Sequence, residues 1–288
     1  MTTQPHAVLI KRAATASIVV ATTLLIAKLA AWYASDSTSV LSSLLDSLMD
    51  IAASVVNFFA IRYALMPADD DHPFGHTKAE GLAALIQSAF ILGSAAALLI
   101  YVVDRLLNPQ PLAALPESIG VMVFSALLTT ALVMYQRWVA RVTHSLAIKA
   151  DSAHYYGDIL TSLAVVVALI AAWFEQFWLD PLVALLIAGV LLHSVYEIIR
   201  EALAVLMDQA MLPEDEQALN ALIHSIDGVQ GFHDLKTRQA GAVQFIQFHL
   251  DLKGDQSLYR AHQIGEQVEA AIVAQFPRAE VLIHHDPV

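Results

Sequence analysis

Ser43-Leu-Leu-Asp46-Ser-Leu-Met-Asp50 sets two carboxylates four residues apart inside an otherwise apolar run. Residues i and i+4 share one face of an α-helix, about one turn apart, so one helix presents both side chains to a common centre. The same spacing recurs in His154-Tyr-Tyr-Gly-Asp158. A carboxylate at bilayer depth costs roughly 2.5–3.5 kcal/mol on insertion scales, so ionisable residues there mark a pathway or an ion. Asp46, Asp50, His154 and Asp158 together offer the four N/O donors that a tetrahedral divalent ion takes. Each has an ordinary reading when taken alone: Asp50 pairing with Arg62 or Lys78, His154 packing between helices. Two such pairs on two apolar helices point instead to a four-ligand metal site within a membrane.

Composition supports that setting. Of 288 residues, 57% are hydrophobic and 15% charged, and the mean hydropathy is +0.59. Apolar runs near the length that crosses a bilayer fall at 9–33, 39–65, 79–107, 117–142, 145–174 and 179–207, predicting six transmembrane helices. Lys11 and Arg12 precede a run longer than the roughly 7–15 residues of a cleavable signal, so the first span is expected to remain as a helix. With no cysteine, disulfides and thiolate metal sites are excluded. His, Asp and Glu suit zinc, cadmium, ferrous iron or manganese better than cuprous copper. A formal net charge of −12 argues against nucleic acid as a partner and suits a protein that attracts cations.

Charge distribution predicts orientation. The segments 34–38, 108–116 and 175–180 hold no Lys or Arg, whereas Lys11, Arg12, Arg62, Lys78, Arg137, Arg141, Lys149 and Arg200 fall on the opposite side. The positive-inside rule then places both termini in the cytoplasm. Lys28 and Arg105 depart from the pattern, and both read as snorkelling to the outer interface beside Trp32, Tyr33 or Tyr101.

From residue 208 onward the text becomes that of a soluble domain. Pro213-Glu-Asp-Glu opens a helix through His224, as acidic residues in a first turn favour. Segments 232–239 and 243–252 read as a hairpin around Ala240-Gly241, 257–276 as an amphipathic helix and 280–285 as a last strand. The expected architecture is a transmembrane domain, 1–208, followed by a cytoplasmic α+β domain, 209–288, of order α-β-β-α-β. A right-handed crossover makes the final strand parallel to its partner. So small and acidic a domain, with twelve Asp or Glu against five Lys or Arg from residue 208 onward, gains stability from a partner subunit or a bound metal.

Two further clusters carry chemistry. Asp69-Asp-Asp-His72-Pro-Phe-Gly-His76 brings three acids and two histidines together at the cytoplasmic end of the second span. It reads equally as a solvated acidic turn, and spacing does not choose which Asp would ligate. Six of the twelve histidines lie in the soluble domain: His224, His233, His249, His262, His284 and His285. His233, His249, His262 and His284 can meet at one end of the sheet. His224 suits a helix C-terminus, and His6, His144 and His193 read as bland, His193 as a packing residue. Lys78 and Asp208 begin the third span and end the sixth, and spacing alone does not pair them.

The sequence resembles the cation diffusion facilitator family, closest to its bacterial ferrous-iron and zinc exporters. The likeness covers nearly the whole chain. It rests on Leu-Leu-Asp46-Ser-Leu-Met-Asp50, Asp69-Asp-Asp-His72-Pro-Phe-Gly-His76-Thr-Lys78-Ala-Glu80, Ala-Asp-Ser-Ala-His154-Tyr-Tyr-Gly-Asp158, His233-Asp-Leu-Lys, Phe-His249-Leu and Ile-His284-His285-Asp286-Pro. The resemblance implies a homodimer of six-helix subunits in the bacterial inner membrane, with metallochaperone-like C-terminal domains. It implies proton-coupled antiport of divalent metal (Zn2+, with Cd2+ and Fe2+), with Zn2+ also as a structural or regulatory ion. Carried over by residue, the transport site is Asp46, Asp50, His154 and Asp158, and the loop site Asp69, His72 and His76. The cytoplasmic binuclear site is His233, His249, His262, His284 and Asp286, with Asp286 bridging and His285 a possible addition. Lys78 and Asp208 match an ion pair that interlocks the dimer. Departures are His285 where Gln is usual, Ala153 and Gly157 beside the transport ligands, and Gln209 where Arg is common.

Other functions fit less of the chain. An intramembrane metalloprotease needs a His-Glu-x-x-His helix, which does not occur. A metal sensor that moves nothing leaves the membrane carboxylates without a purpose.

Overall fold

The computed structural model describes residues 4–35, 38–108, 119–176, 178–241 and 243–288. Most of the expected outer loop 108–116, and the start of the fourth span, lie outside the described residues. Among those described, six long helices come first: α1 (Gln4–Ser35), α2 (Thr38–Ala64), α3 (Ala79–Leu107), α4 (Ile119–Thr143), α5 (Leu146–Trp173) and α6 (Leu179–Leu206). Then follow α7 (Pro213–His224), β1 (Val229–Ala240), β2 (Val243–Leu252), α8 (Leu258–Gln275) and β3 (Ala279–Pro287). The chain divides into two compact units, Gln4–Ala202 and Leu203–Val288.

In the helical unit α1, α2, α3, α4 and α6 are each long and apolar enough to cross a membrane; α5 is of comparable length, 28 residues, but is not among those five. Two cores hold them together. Ile10, Ala13 and Ala14 of α1 pack with Ile61 of α2, Ala83 of α3, Val139 of α4 and Ala147 and Ile148 of α5. Ala84, Ile91 and Ala95 of α3 pack with Leu146 and Ala150 of α5 and Leu191, Val195 and Ala202 of α6. Small residues at these seams let helix backbones approach closely, which is how helices associate where lipid is as apolar as leucine. The outward faces carry exposed Leu92, Ile100, Leu127 and Leu186, as a lipid-facing surface requires. Helix α5 takes part in both cores, so its polar residues are carried inward.

The second unit is the expected α-β-β-α-β fold. Its sheet has the order β1-β2-β3, with β1 and β2 antiparallel and β2 and β3 parallel. Central β2 buries Ile246, Phe248 and Leu250 against Leu219 and Ile223 of α7 and Ile264, Val268 and Ile272 of α8. Each fully buried aliphatic or aromatic side chain stabilises by roughly 1.5–3 kcal/mol. Pro213 sits in the first turn of α7, followed by Glu214, Asp215 and Glu216. Ser257 caps α8, its side chain accepting from the Arg260 N–H at 3.2 Å. Strand β1 begins three residues before the expected 232, because Gly228, at φ +98°, turns the chain directly into it. A Cβ there would lie 2.7 Å from Ile264 Cδ1, so only glycine permits both the turn and the contact.

Candidate metal centres

Three residues of the two polar helices meet within the helical unit. Asp50 of α2 and His154 and Asp158 of α5 each bring a ligand atom within 4.8 Å of the others. His154 Nε2 lies 3.2 Å from Asp50 Oδ1, with side-chain exposures of 5% and 16%. The imidazole is held edge-on by Phe90 at 6.5 Å and Tyr155 at 5.5 Å, and the Tyr155 hydroxyl is 2.6 Å from Ser54 Oγ. The ring therefore has a fixed direction before any ion arrives. Asp46 is not in this group of three: it is exposed. Lys28 does not snorkel to the outer interface as expected. Its Nζ donates to Ser47 Oγ at 2.7 Å and to the Ser43 carbonyl at 3.2 Å, turning the charge onto α2. Arg105 does lie beside Tyr101, its Nε donating to the Tyr101 hydroxyl at 2.9 Å and standing 3.7 Å from Asp180.

Buried groups near this centre were not legible as site residues. Asp151, three residues before His154, is fully buried. It accepts from Ser17 of α1 and from Gln136 Nε2 of α4 at 2.6 Å, which ties three helices together. At the start of α5, Glu80 of α3 accepts from Ser145 Oγ at 2.9 Å.

The loop between α2 and α3 gathers Asp69, His72 and His76 into a second group with ligand atoms within 4.8 Å. Spacing left three aspartates open; of these, Asp69 lies in the group. Its Oδ1 accepts from the His72 N–H at 2.7 Å and the Asp71 N–H at 3.1 Å. Its Oδ2 stands 3.3 Å from His76 Nε2. The His72 backbone N–H holds the Asp69 carboxyl below the usual carboxylate range. His76 is 4% exposed, with the Tyr63 ring packed edge-on at 4.5 Å, whereas Asp70 and Asp71 are exposed.

In the second unit sheet register builds a third group. His233, His249 and His284 are aligned across β1, β2 and β3, so they share one face. His233, His249 and Asp286 place ligand atoms within 4.8 Å of one another. His249 Nδ1 donates to Asp286 Oδ2 at 2.8 Å, and Asp286 Oδ1 lies 3.2 Å from His284 Nε2. The His249 hydrogen bond depresses the Asp286 carboxyl. Asp251, not singled out from sequence, stands with Oδ1 3.0 Å from His233 Nδ1.

Within one chain His262 does not enter this group; it lies 3.4 Å from Glu266, one helical turn on. His285 lies against α8 and has its Nε2 buried without a partner. Burial, with His262 and His284 nearby, lowers its readiness to protonate. Asp208 pairs at 3.4 Å with Arg238 of its own unit, and Lys78 stands at the N-cap of α3. Within one chain His193 does not pack as expected: its side chain is 71% exposed and lies 3.6 Å from Glu197, four residues on.

Comparisons with known proteins agree along the whole chain. Residues 14–207 match the model of a cation efflux transmembrane domain, and residues 211–288 that of a cation efflux protein, cytoplasmic domain. Cation-efflux pump FieF of Cronobacter sakazakii is 45% identical over 279 residues, covering 97% of this chain and 93% of that protein. The pump of the same name from Citrobacter koseri is 44% identical over 284 residues, covering 99% and 95%. Among solved structures, the zinc form of the transporter CzrB covers 28% of this chain and 92% of that chain at 35% identity, with a TM-score of 0.27. A nickel form of the MamM C-terminal domain covers 27% and 99% at 19% identity, with a TM-score of 0.26. The matched relatives are named as pumps and not as enzymes. The chain belongs to the cation diffusion facilitator family of multi-pass cation-efflux transporters.

Proposed function

We propose that the protein exports Zn2+, and with it Cd2+ and Fe2+, from the cytoplasm in exchange for protons by alternating access. One observation carries this reading: Asp50, His154 and Asp158 converge from two helices of the membrane-spanning unit. Together with Asp46 they make a mixed N/O donor set suited to zinc. Metal binding to carboxylates and a neutral imidazole displaces protons, so protons arriving from the far side displace the metal in turn. The two access states supply direction, because ligand and proton load bias the same equilibrium.

The remaining groups fit around that centre. Asp69, His72 and His76 form a cytoplasmic loading site. His233, His249, His284 and Asp286, with His262 and His285 as further donors, hold Zn2+ in the cytoplasmic domain, 209–288, where it joins two copies of the chain. Lys78 and Asp208 pair across that homodimer at the membrane surface. The dimer sits in the bacterial inner membrane with both termini in the cytoplasm.

The test is metal flux in proteoliposomes with an imposed pH gradient and a panel of Zn2+, Cd2+, Fe2+ and Mn2+. Flux that follows the gradient and stops when a protonophore collapses it supports antiport. Flux indifferent to the gradient rejects proton coupling, and binding with no flux favours a sensor.

A further inference from the structure

The arrangement around Asp46 has a charge balance that the four ligands alone do not give. Three carboxylates and a neutral imidazole around a divalent ion leave one uncompensated negative charge, which is expensive inside a bilayer. Lys28 of α1 is placed to meet it. Its Nζ is fixed by Ser47 Oγ at 2.7 Å and by the Ser43 carbonyl at 3.2 Å. Ser47 is fully buried and lies between the two aspartates of α2. Ser47 and Asp50, three residues apart, share a face of α2, so the ammonium lies along the face that carries a ligand of the centre. Lysine has three donors and no acceptor, and Ser43 and Ser47 take two of them among the described residues.

We propose that Lys28 is the resident counter-charge of the transport centre, making the metal-loaded site electrically neutral and repelling the ion enough to let it leave. This rests on Asp46, Asp50, His154 and Asp158 being that centre. Lys28 is then a positioning residue, touching the metal's ligands through the field and not the metal itself. A positive charge beside a divalent ion in a medium between water and protein interior changes its binding by a factor of about ten.

The experiment is the concentration dependence of Zn2+ flux in proteoliposomes for the full chain carrying Lys28→Gln, Lys28→Arg or Ser47→Ala. Glutamine keeps a donor for Ser47 and removes the charge. It is expected to lower KM about tenfold and to lower kcat, because release from a tighter site is slower. Lys28→Arg should return both toward wild type, and Ser47→Ala, which keeps the charge and loosens its tether, should shift KM less than Lys28→Gln. An unchanged or raised KM in Lys28→Gln overturns the proposal, as does a Ser47→Ala variant matching it, which would make Lys28 a tether only. Thermal unfolding of each variant separates misfolding from these outcomes. Should Asp50→Ala retain wild-type flux, the transport-centre reading fails, whatever Lys28 does.

Discussion

Glu80, in the first turn of α3, caps a different helix: its Oε2 accepts from the Leu146 backbone N–H at 3.0 Å, across 66 residues of sequence. The same oxygen accepts from Ser145 Oγ at 2.9 Å, and the Glu80 side chain is 6% exposed as a residue. The first N–H groups of any helix have no partner within it, and a carboxylate is favoured at that end by the dipole. Because α5 carries His154 and Asp158, this contact fixes the start of the helix that positions half of the candidate centre.

Glu80→Ala leaves a buried N–H and a hydroxyl unpaired, which costs about 1–3 kcal/mol. Thermal unfolding in detergent is expected to show a lowered Tm, and Glu80→Gln, which retains an acceptor, a smaller drop. An unchanged Tm in Glu80→Ala contradicts the capping role.

The loop carboxylate has a defined pH signature. The His72 N–H lowers the Asp69 pKa, so the contribution of the ionised form is present above the ordinary aspartate value near ~3.9 and lost only as pH falls through the lowered value. The Asp69 carboxyl is therefore expected to stay ionised from about pH 7.5 to about pH 5.5, a window above the carboxylate range, as read from the 13C shift of its carboxyl carbon in metal-free protein. A carboxyl that titrates within that window contradicts the assignment.

Gly265 of α8 leaves room for His285. A Cβ there would lie 2.3 Å from His285 Nε2, so Gly265→Ala forces the imidazole aside at a cost of about 1–3 kcal/mol, partly offset by the better helix propensity of alanine, about 1 kcal/mol. Combining it with His285→Ala should recover the loss, since the clashing ring is gone. Equal destabilisation in the single and double variants would show that the strain lies elsewhere.

Asp251 and Asp286 flank His233, the two carboxylates lying 3.0 Å and 3.4 Å from its Nδ1 and Nε2. Partners of this kind fix the ligand's tautomer, and their loss typically weakens metal affinity about 10–100-fold. Asp251→Asn in the full chain is expected to weaken Zn2+ binding at the cytoplasmic cluster by about tenfold or more, read by competition with a chelator against His72→Ala protein. No change rejects an orienting role.

What the sequence disclosed follows from periodicity. Apolar runs gave the membrane-spanning helices, alternation gave the strands, and the i, i+4 spacing brought forward Asp50, His154 and Asp158, which lie together. Contacts between distant segments have no period to read. Glu80 looks like an acidic first-turn residue of its own helix, and its role for α5 emerges only when the helices pack. Lys28 reads as a snorkelling lysine near an interface until α2 is seen beside α1. Asp251 is one more acid on a strand until register sets it beside His233. Depth in a span makes His193 read as a packing residue, whereas within the chain its side chain faces outward.

The most direct measurement is the initial rate of Zn2+ flux into proteoliposomes for wild type and Asp50→Ala at equal, folded protein. The account predicts that Asp50→Ala falls to the background of empty vesicles, because Asp50 joins α2 to the His154–Asp158 pair of α5. Wild-type flux in Asp50→Ala would contradict it.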